Sequence, residues 1–276
     1  MSAPDLRAWA DHNVAAAFAL LIRNPNDGVA RSPRRFGGCV AYPTGRRGGF
    51  FNPIVVTEPA SADDVREAVT WMRDEGSPVS LRIRDDLETR AIRAAAADLG
   101  LERNDWVEPA MVMWPLRPAP DPPSGLVIEE GGETSVARFH EAAASGFTDG
   151  GPAGLAFMAD LFPPAIASDP DIRLFGGFLD GDAVASSVAI RGGPVGGIYS
   201  VGTAERARRR GIGTAMTWRA VEAGRAWGCE AATLQASAMG EPVYRAMGFE
   251  RVAGYALWNR PAPRPARATD AEGEPG

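Results

Sequence analysis

The run from Ile198 to Met216, Ile-Tyr-Ser-Val-Gly-Thr-Ala-Glu-Arg-Ala-Arg-Arg-Arg-Gly-Ile-Gly-Thr-Ala-Met, holds the most legible chemistry in the chain. Arg208, Arg209 and Arg210 stand directly before Gly211-Ile212-Gly213, and Ile212, Met216, Ala220, Ala223 and Trp227 follow at helical spacing. Ile198 to Val201 reads as a short apolar strand leading into the turn. A glycine-rich turn that opens a helix leaves several backbone N–H groups unpaired and converging, where the helix macrodipole also favours negative charge. Glycine at 211 and 213 lets the backbone come close to an anion and adopt dihedrals that a side chain would forbid. The pattern predicts a phosphate cradle; the plainer alternative is an arginine-rich surface turn with a helix cap. A P-loop would need Gly-x-x-x-x-Gly-Lys-Ser/Thr, and a dinucleotide fingerprint would need glycine where Met216 stands. A nucleic-acid patch built on Arg206 and Arg208 to Arg210 lacks interleaved aromatic residues.

The rest of the composition narrows the partners. With 276 residues, 45% hydrophobic and 23% charged, the chain has globular composition and room for two domains of ordinary size. A net charge of -6 gives no global reason to expect nucleic acid or an anionic membrane as partner. Cys39, Cys229, His12 and His140 have no ligand spacing for zinc and form no disulfide framework, so no metal and a reducing, cytoplasmic setting are expected. The apolar run Val14 to Ile22 is nine residues long, too short to span a bilayer, and reads as part of a helix.

Several elements can be placed in order. Leu6, Trp9, Val14, Phe18 and Leu21 predict a first helix ended by Pro25. A loop-rich stretch follows, then a strand at Ile54 to Thr57 and a helix from Ala62 to Glu75 capped by Ser61, with Gly76 past its end. Val79 to Ile83 reads as a strand, Leu87 to Leu99 as a helix closed by Gly100, and Trp106 to Trp114 as a strand. From Pro115 to Gly125 five of eleven residues are proline, which is stiff, extended and unfit for a sheet interior, and this marks the domain boundary. Beyond it come a strand at Leu126 to Ile128, a helix from Thr134 or Ser135 to about Ala144, and a section from Gly146 to Asp171 that is helical at most in its middle. Ile172 to Leu179 and Ala183 to Arg191 form a hairpin on Asp180-Gly181-Asp182. After the helix that begins at Ile212, Ala231 to Gln235 reads as a strand, Glu241 to Met247 as a short helix and Val252 to Trp258 as a last strand. From Pro261 on, no core-forming pattern remains and a disordered tail is expected.

Residues 126–260 resemble the GCN5-related N-acetyltransferase (GNAT) family. Arg208-Arg209-Arg210-Gly211-Ile212-Gly213 matches the family's Gln/Arg-x-x-Gly-x-Gly/Ala pyrophosphate loop between a strand and a helix. Leu234-Gln235-Ala236-Ser237 followed by Pro242-Val243-Tyr244 is similar to the family's fifth strand and tyrosine-bearing helix, and Met247-Gly248-Phe249-Glu250 to the Gly-Phe that closes it. The first half reads as a degenerate copy. Val55-Val56-Thr57 parallels Val201-Gly202-Thr203, Ser80-Leu81-Arg82 parallels Thr233-Leu234-Gln235, and Asp98 to Arg103 parallels Ala246 to Arg251. The copy lacks the Arg-x-x-Gly-x-Gly loop and has Ala96 in the place of Tyr244, so one acetyl-CoA per chain is expected.

The resemblance implies an α/β protein with a mixed sheet flanked by helices, as two tandem GNAT-like domains. Residues 1–115 form the degenerate domain, 116–125 the linker, 126–260 the catalytic domain and 261–276 the tail. It further implies transfer of an acetyl group from acetyl-CoA to a primary amine by direct attack. Val201 and Thr203 would meet the pantetheine, and Arg208, Arg209, Arg210, Gly211, Ile212, Gly213 and Thr214 would cradle the pyrophosphate. Tyr244 would protonate the departing thiolate, or else only pack its helix on the sheet. Ser237 stands where many members carry asparagine and is carried over as a pantetheine contact or a helix cap. The family's usual glutamate base is missing between Ile190 and Gly202, and no spacing singles out Glu129, Glu141 or Asp149 in its stead. Acceptor contacts are expected from Gly146 to Asp171, with Phe157, Met158, Leu161 and Phe162 as core or pocket and Asp160, Asp169 and Asp171 as partners for a cationic amine. Phe36 or Trp106 would join them if the first half covers the cleft. Tandem architecture also resembles mycothiol synthase, and an alternative of another class is a non-catalytic acyl-CoA sensor. A homodimer is left open.

Overall fold

The computed structural model describes residues 4–261. The expected tail therefore lies outside the described residues, apart from Pro261. Among the described residues, eleven strands form one mixed sheet. In chain order the first part holds α1 (Leu6–Arg23), β1 (Arg34–Phe36), β2 (Cys39–Ala41), β3 (Pro53–Val56), α2 (Ala62–Asp74), β4 (Ser80–Arg84), α3 (Arg90–Asp98) and β5 (Glu102–Met113). The remainder holds β6 (Leu126–Gly131), α4 (Val136–Phe147), α5 (Pro152–Leu161), β7 (Ile172–Leu179), β8 (Asp182–Gly192), β9 (Val195–Thr203), α6 (Ile212–Ala226), β10 (Ala231–Gln235), α7 (Glu241–Met247) and β11 (Glu250–Asn259).

Local chemistry fixes the helix ends. The Asp5 carboxylate accepts from the N–H groups of Arg7 and Ala8 and starts α1. At α2 the Ser61 hydroxyl accepts from the Asp64 N–H while the Asp64 carboxylate accepts from the Ser61 N–H, a closed capping box. Gly248, at φ +102°, ends α7 in the left-handed conformation, and Phe249 returns its N–H to the Tyr244 carbonyl.

The strand order β1-β2-β3-β4-β11-β5-β10-β9-β8-β7-β6 shows an exchange at the centre. The pairs β3–β4 and β9–β10 are parallel; every other pair is antiparallel. β11, the last of the described strands, pairs with β4, while β5 pairs with β10, and β5 and β11 lie side by side. Each part thus lends its last strand to the other, as two related units would about a local two-fold axis. The sheet runs without interruption past the proline-rich segment at 116–125, which carries no helix or strand of its own.

Three apolar clusters cover the sheet. Alternation along β5 sends Ala110 and Val112 toward α1, α4 and α5, and Met111 and Met113 toward α6. α2 and α3 cover Leu81 and Ile83 of β4. α1 lies across strands of both parts. Its buried Asn13 donates to the carbonyls of Ile190 and Val195, 3.1 and 3.2 Å away, and accepts from the Tyr199 hydroxyl at 2.6 Å.

Several elements differ from the sequence expectation. β1 and β2 form a hairpin inside the stretch read as loop, because strands of three residues show no measurable alternation. β5 starts at Glu102 rather than Trp106, its polar first residues pairing with β11. α3 starts at Arg90 rather than Leu87, since Asp85–Leu87 forms a separate 3-10 turn and Thr89 supplies the cap. β9 already begins at Val195, so the turn before it is shorter than expected.

Candidate functional site

β9 and β10 start as neighbours and then part. They pair from Val195 to Gly197 against Ala231 to Thr233, and no further, although both strands continue. On its other side β9 carries a bulge. Ser186 faces Gly202 and Val188 faces Tyr199, so Ser200 and Val201 together stand opposite Ser187. Ser200 takes φ +49° there, a left-handed backbone uncommon outside glycine, and its carbonyl accepts from the Ser186 hydroxyl at 2.9 Å. Ser200 and Val201 therefore lie in neither ladder, at the edge of an opening between strands. Close packing holds the bulge. A Cβ on Gly202 would lie 2.7 Å from the Phe147 ring, and one on Gly146 would lie 2.8 Å from Gly202 itself, so α4 presses directly onto β9.

The opening leads into a cavity of about 560 Å³. Ile198, Tyr199, Ser200 and Val201 of β9 line one side, and Leu234, Gln235, Ser237 and Tyr244 the other. Phe157, Met158, Leu161 and Phe162 line it as well while packing in the core beneath, so both expected roles fall to the same residues. The first part of the chain contributes Phe18, Phe50 and Phe51, together with two charged residues, Arg82 and Glu108.

Beyond Thr203 a turn carries the arginines to α6. Arg208, Arg209 and Arg210 are exposed, Arg209 and Gly211 take φ +59° and +75°, and Arg208 donates its Nε to the Thr203 carbonyl at 3.2 Å. Gly211 is the N-cap of α6 and offers no side chain to the helix start, which has no acidic residue in its first turn. The first N–H groups of α6, on Ile212, Gly213 and Thr214, are consequently left for a ligand or solvent. Buried Ile212 pins this end into the core, and Gly213 lets the Thr203 side chain come within 3.2 Å of where a Cβ would be.

Tyr244 is half-buried on α7, its ring edge-on to Phe249 at 6.0 Å. Burial pushes its phenol above the ordinary tyrosine value, with the neighbouring Thr217 side chain partly opposing. Such a phenol keeps its proton at neutral pH and beyond. The Ser237 hydroxyl accepts from the Gly240 N–H at 3.1 Å and closes the turn before α7, at the rim of the same cavity. The structure thus brings Val201, Ser237 and Tyr244 to the cavity and sets Thr203 and 208–214 beyond the opening between β9 and β10.

Other candidates fall elsewhere. Glu129 and Glu141 pair with Arg138, and Asp149 accepts from the Gly151 N–H. Asp160 accepts from Asn26, while Asp169 and Asp171 are held by Arg23. Phe36 packs on Trp71, and Trp106 donates to the Ala236 carbonyl. None of these eight residues lines the cavity. Arg82 and Glu108 do, yet nothing in their local sequence marked them except a charge between apolar strand neighbours. Among the described residues, no helix is long and apolar enough to cross a membrane.

Residues 137–249 match the model of the acetyltransferase (GNAT) family. No curated protein matches the chain in sequence. Among solved structures, the chain is similar to a GCN5-related N-acetyltransferase from Kribbella flavida, at a TM-score of 0.67 and 19% identity, over 92% of this chain and 96% of that one. It is also similar to a functionally unknown conserved protein from Staphylococcus epidermidis, at a TM-score of 0.61 and 13% identity, over 84% and 95% of the two chains. A tandem GNAT protein from the clavulanic acid biosynthesis pathway aligns at a TM-score of 0.53 and 14% identity, over 90% and 94%.

Proposed function

We propose that this chain, whose residues 137–249 match the GNAT acetyltransferase family model, transfers an acetyl group from acetyl-CoA to a primary amine, using one site per chain. The observation that carries the reading is the parting of β9 and β10 after Gly197 and Thr233, on the strand that leads through one short turn to a helix start capped by glycine. The opening suits a thin, extended pantetheine arm. The open N–H groups at 212–214, with the arginines beside them, suit a pyrophosphate, and no first-turn carboxylate repels it. Val201, Thr203, Arg208, Arg209, Arg210, Gly211, Ile212, Gly213, Thr214 and Ser237 are the residues assigned to the donor.

In the reaction the amine nitrogen attacks the thioester carbonyl carbon. A C–N bond forms and negative charge builds on the carbonyl oxygen, where a peptide N–H of the bulge at Ser200 and Val201 stabilises it. The C–S bond then breaks, and the leaving thiolate takes the phenol proton of Tyr244. The nitrogen sheds its surplus proton to solvent, from which the phenolate is restored. Burial of Tyr244 supports this role, since it keeps the donor protonated. The test is release of CoA thiol from acetyl-CoA across a panel of primary amines, together with calorimetric binding of acetyl-CoA. Turnover with at least one amine is expected. Binding without turnover across the panel would reassign the site to an acyl-CoA sensor.

A further inference from the structure

We propose that Glu108, lent by the first half of the chain, is the residue that reads the acceptor, and that the acceptor is a cationic primary amine on an apolar or aromatic body with no carboxylate beside the amine. The inference rests on the reading of the cavity as an acyl-transfer site.

Glu108 is the one carboxylate among the described residues lining the cavity, and Arg82 the one permanent cation. The two differ in access. Arg82 is 5% exposed at its side chain and Glu108 18%. Arg82 donates Nη1 to Glu108 Oε2 at 2.5 Å, and its guanidinium carbon lies 5.9, 5.3 and 5.8 Å from the ring centres of Phe18, Phe50 and Tyr255. Among the described residues, its Nε is buried without a hydrogen-bond partner. Arg82 is therefore boxed in behind Glu108: it supplies the opposite charge that a carboxylate in an apolar wall requires and holds it in place. Among the described residues, Oε1 of Glu108 accepts no hydrogen bond and is not among the buried atoms left unpartnered, so it is the charge a ligand can reach. An ammonium group is its complement, and once seated it gives one proton to solvent, so that the nitrogen attacks as the neutral amine.

The remaining walls define the body that carries the ammonium. Phe18, Phe50, Phe51, Phe157 and Leu161 surround the same space, and Phe51 and Phe157 lie with ring centres 5.8 Å apart. Such walls favour aromatic and aliphatic groups over polar ones. A carboxylate next to the amine would be brought against Glu108, with Arg82 already engaged and enclosed. Arg82 is a positioning residue here; Glu108 touches the ligand.

The test uses the full chain and two acceptor probes, phenethylamine and phenylalanine, which differ by one carboxylate. For the unaltered protein, phenethylamine is expected to bind by calorimetry and to be acetylated with kcat/KM at least roughly tenfold above that of phenylalanine. Equal or better use of phenylalanine overturns the proposal without any variant being made. Glu108→Gln is expected to weaken phenethylamine binding roughly tenfold or more while leaving acetyl-CoA affinity unchanged, with Glu108→Asp restoring part of the loss. Unaltered phenethylamine affinity in a folded Glu108→Gln protein also overturns it. Loss of acetyl-CoA binding in the unaltered protein would instead break the acyl-transfer reading, whereas the phenethylamine titration still decides the role of Glu108.

Discussion

The two parallel strand pairs of the sheet occupy matching places and have opposite fates. In the first half β3 pairs with β4 along its whole length, Pro53 to Val56 against Ser80 to Ile83, and the helix that follows is sealed by the Ser61 and Asp64 capping box with Asp63 beside it. In the second half β9 leaves β10 after three residues, and the following helix opens on Gly211 with no side-chain cap and no acid in its first turn. Ala96 stands buried on α3 where α7 carries Tyr244. The same architecture closes one helix start with its own side chains and leaves the other, the proposed donor site, open. A helix start binds an anion only if the chain has not already supplied one.

Four changes test this contrast, the first with the largest effect. Tyr244→Phe removes the proposed acid, so kcat is expected to fall about 10²-fold with acetyl-CoA affinity unchanged. In the unaltered protein the raised phenol is expected to place the alkaline loss of activity above pH 10, because the protonated form persists past the ordinary tyrosine value. Steady-state rates with calorimetry separate this from a packing role, which would leave turnover intact. Gly211→Val forces a branched residue to φ +75°, and strain of about 1–3 kcal/mol at the cradle should weaken acetyl-CoA roughly tenfold or more. Its control is Gly76→Val, at φ +69° after α2, where thermal stability should fall comparably while acetyl-CoA affinity stays the same.

Ser61→Ala opens the capping box of the first half at a cost of about 1 kcal/mol, measured by denaturant unfolding. No second acetyl-CoA site should appear, since β3 and β4 remain paired. The smallest effect concerns the seam between the halves. Burial alone would raise the Asp169 carboxyl, but hydrogen bonds from Arg23 and Asn24 of the first half outweigh it and hold the group at about 2. A lowered carboxyl stabilises the fold fully above its unfolded value, about 3.9, and loses that contribution as pH falls toward 2. Arg23→Ala should remove most of this acid dependence, worth less than about 1 kcal/mol because Arg23 is 45% exposed.

Much of the second half was legible in the sequence because its signals are local. The turn at 208–213, the Asp-Gly hairpin and the Gly248 helix end each need only neighbouring residues to act. The faint repeat also pointed to the right segments, as β3 and β9, β4 and β10 take matching places in the sheet. What stayed hidden is what depends on distant pairing. β5 and β11 exchange across the centre, and no local periodicity encodes which partner a strand will choose. That exchange sets Glu108 of β5 and Arg82 of β4 on either side of β11, so their ion pair arises from topology alone. In the sequence each reads as an ordinary charged residue between apolar neighbours on a strand.

The most direct measurement is calorimetric titration of the full chain with acetyl-CoA. The expectation is a single site per chain, weakened by Gly211→Val and untouched by Gly76→Val. Two equivalent sites, or binding that Gly76→Val weakens as much as Gly211→Val, would contradict it.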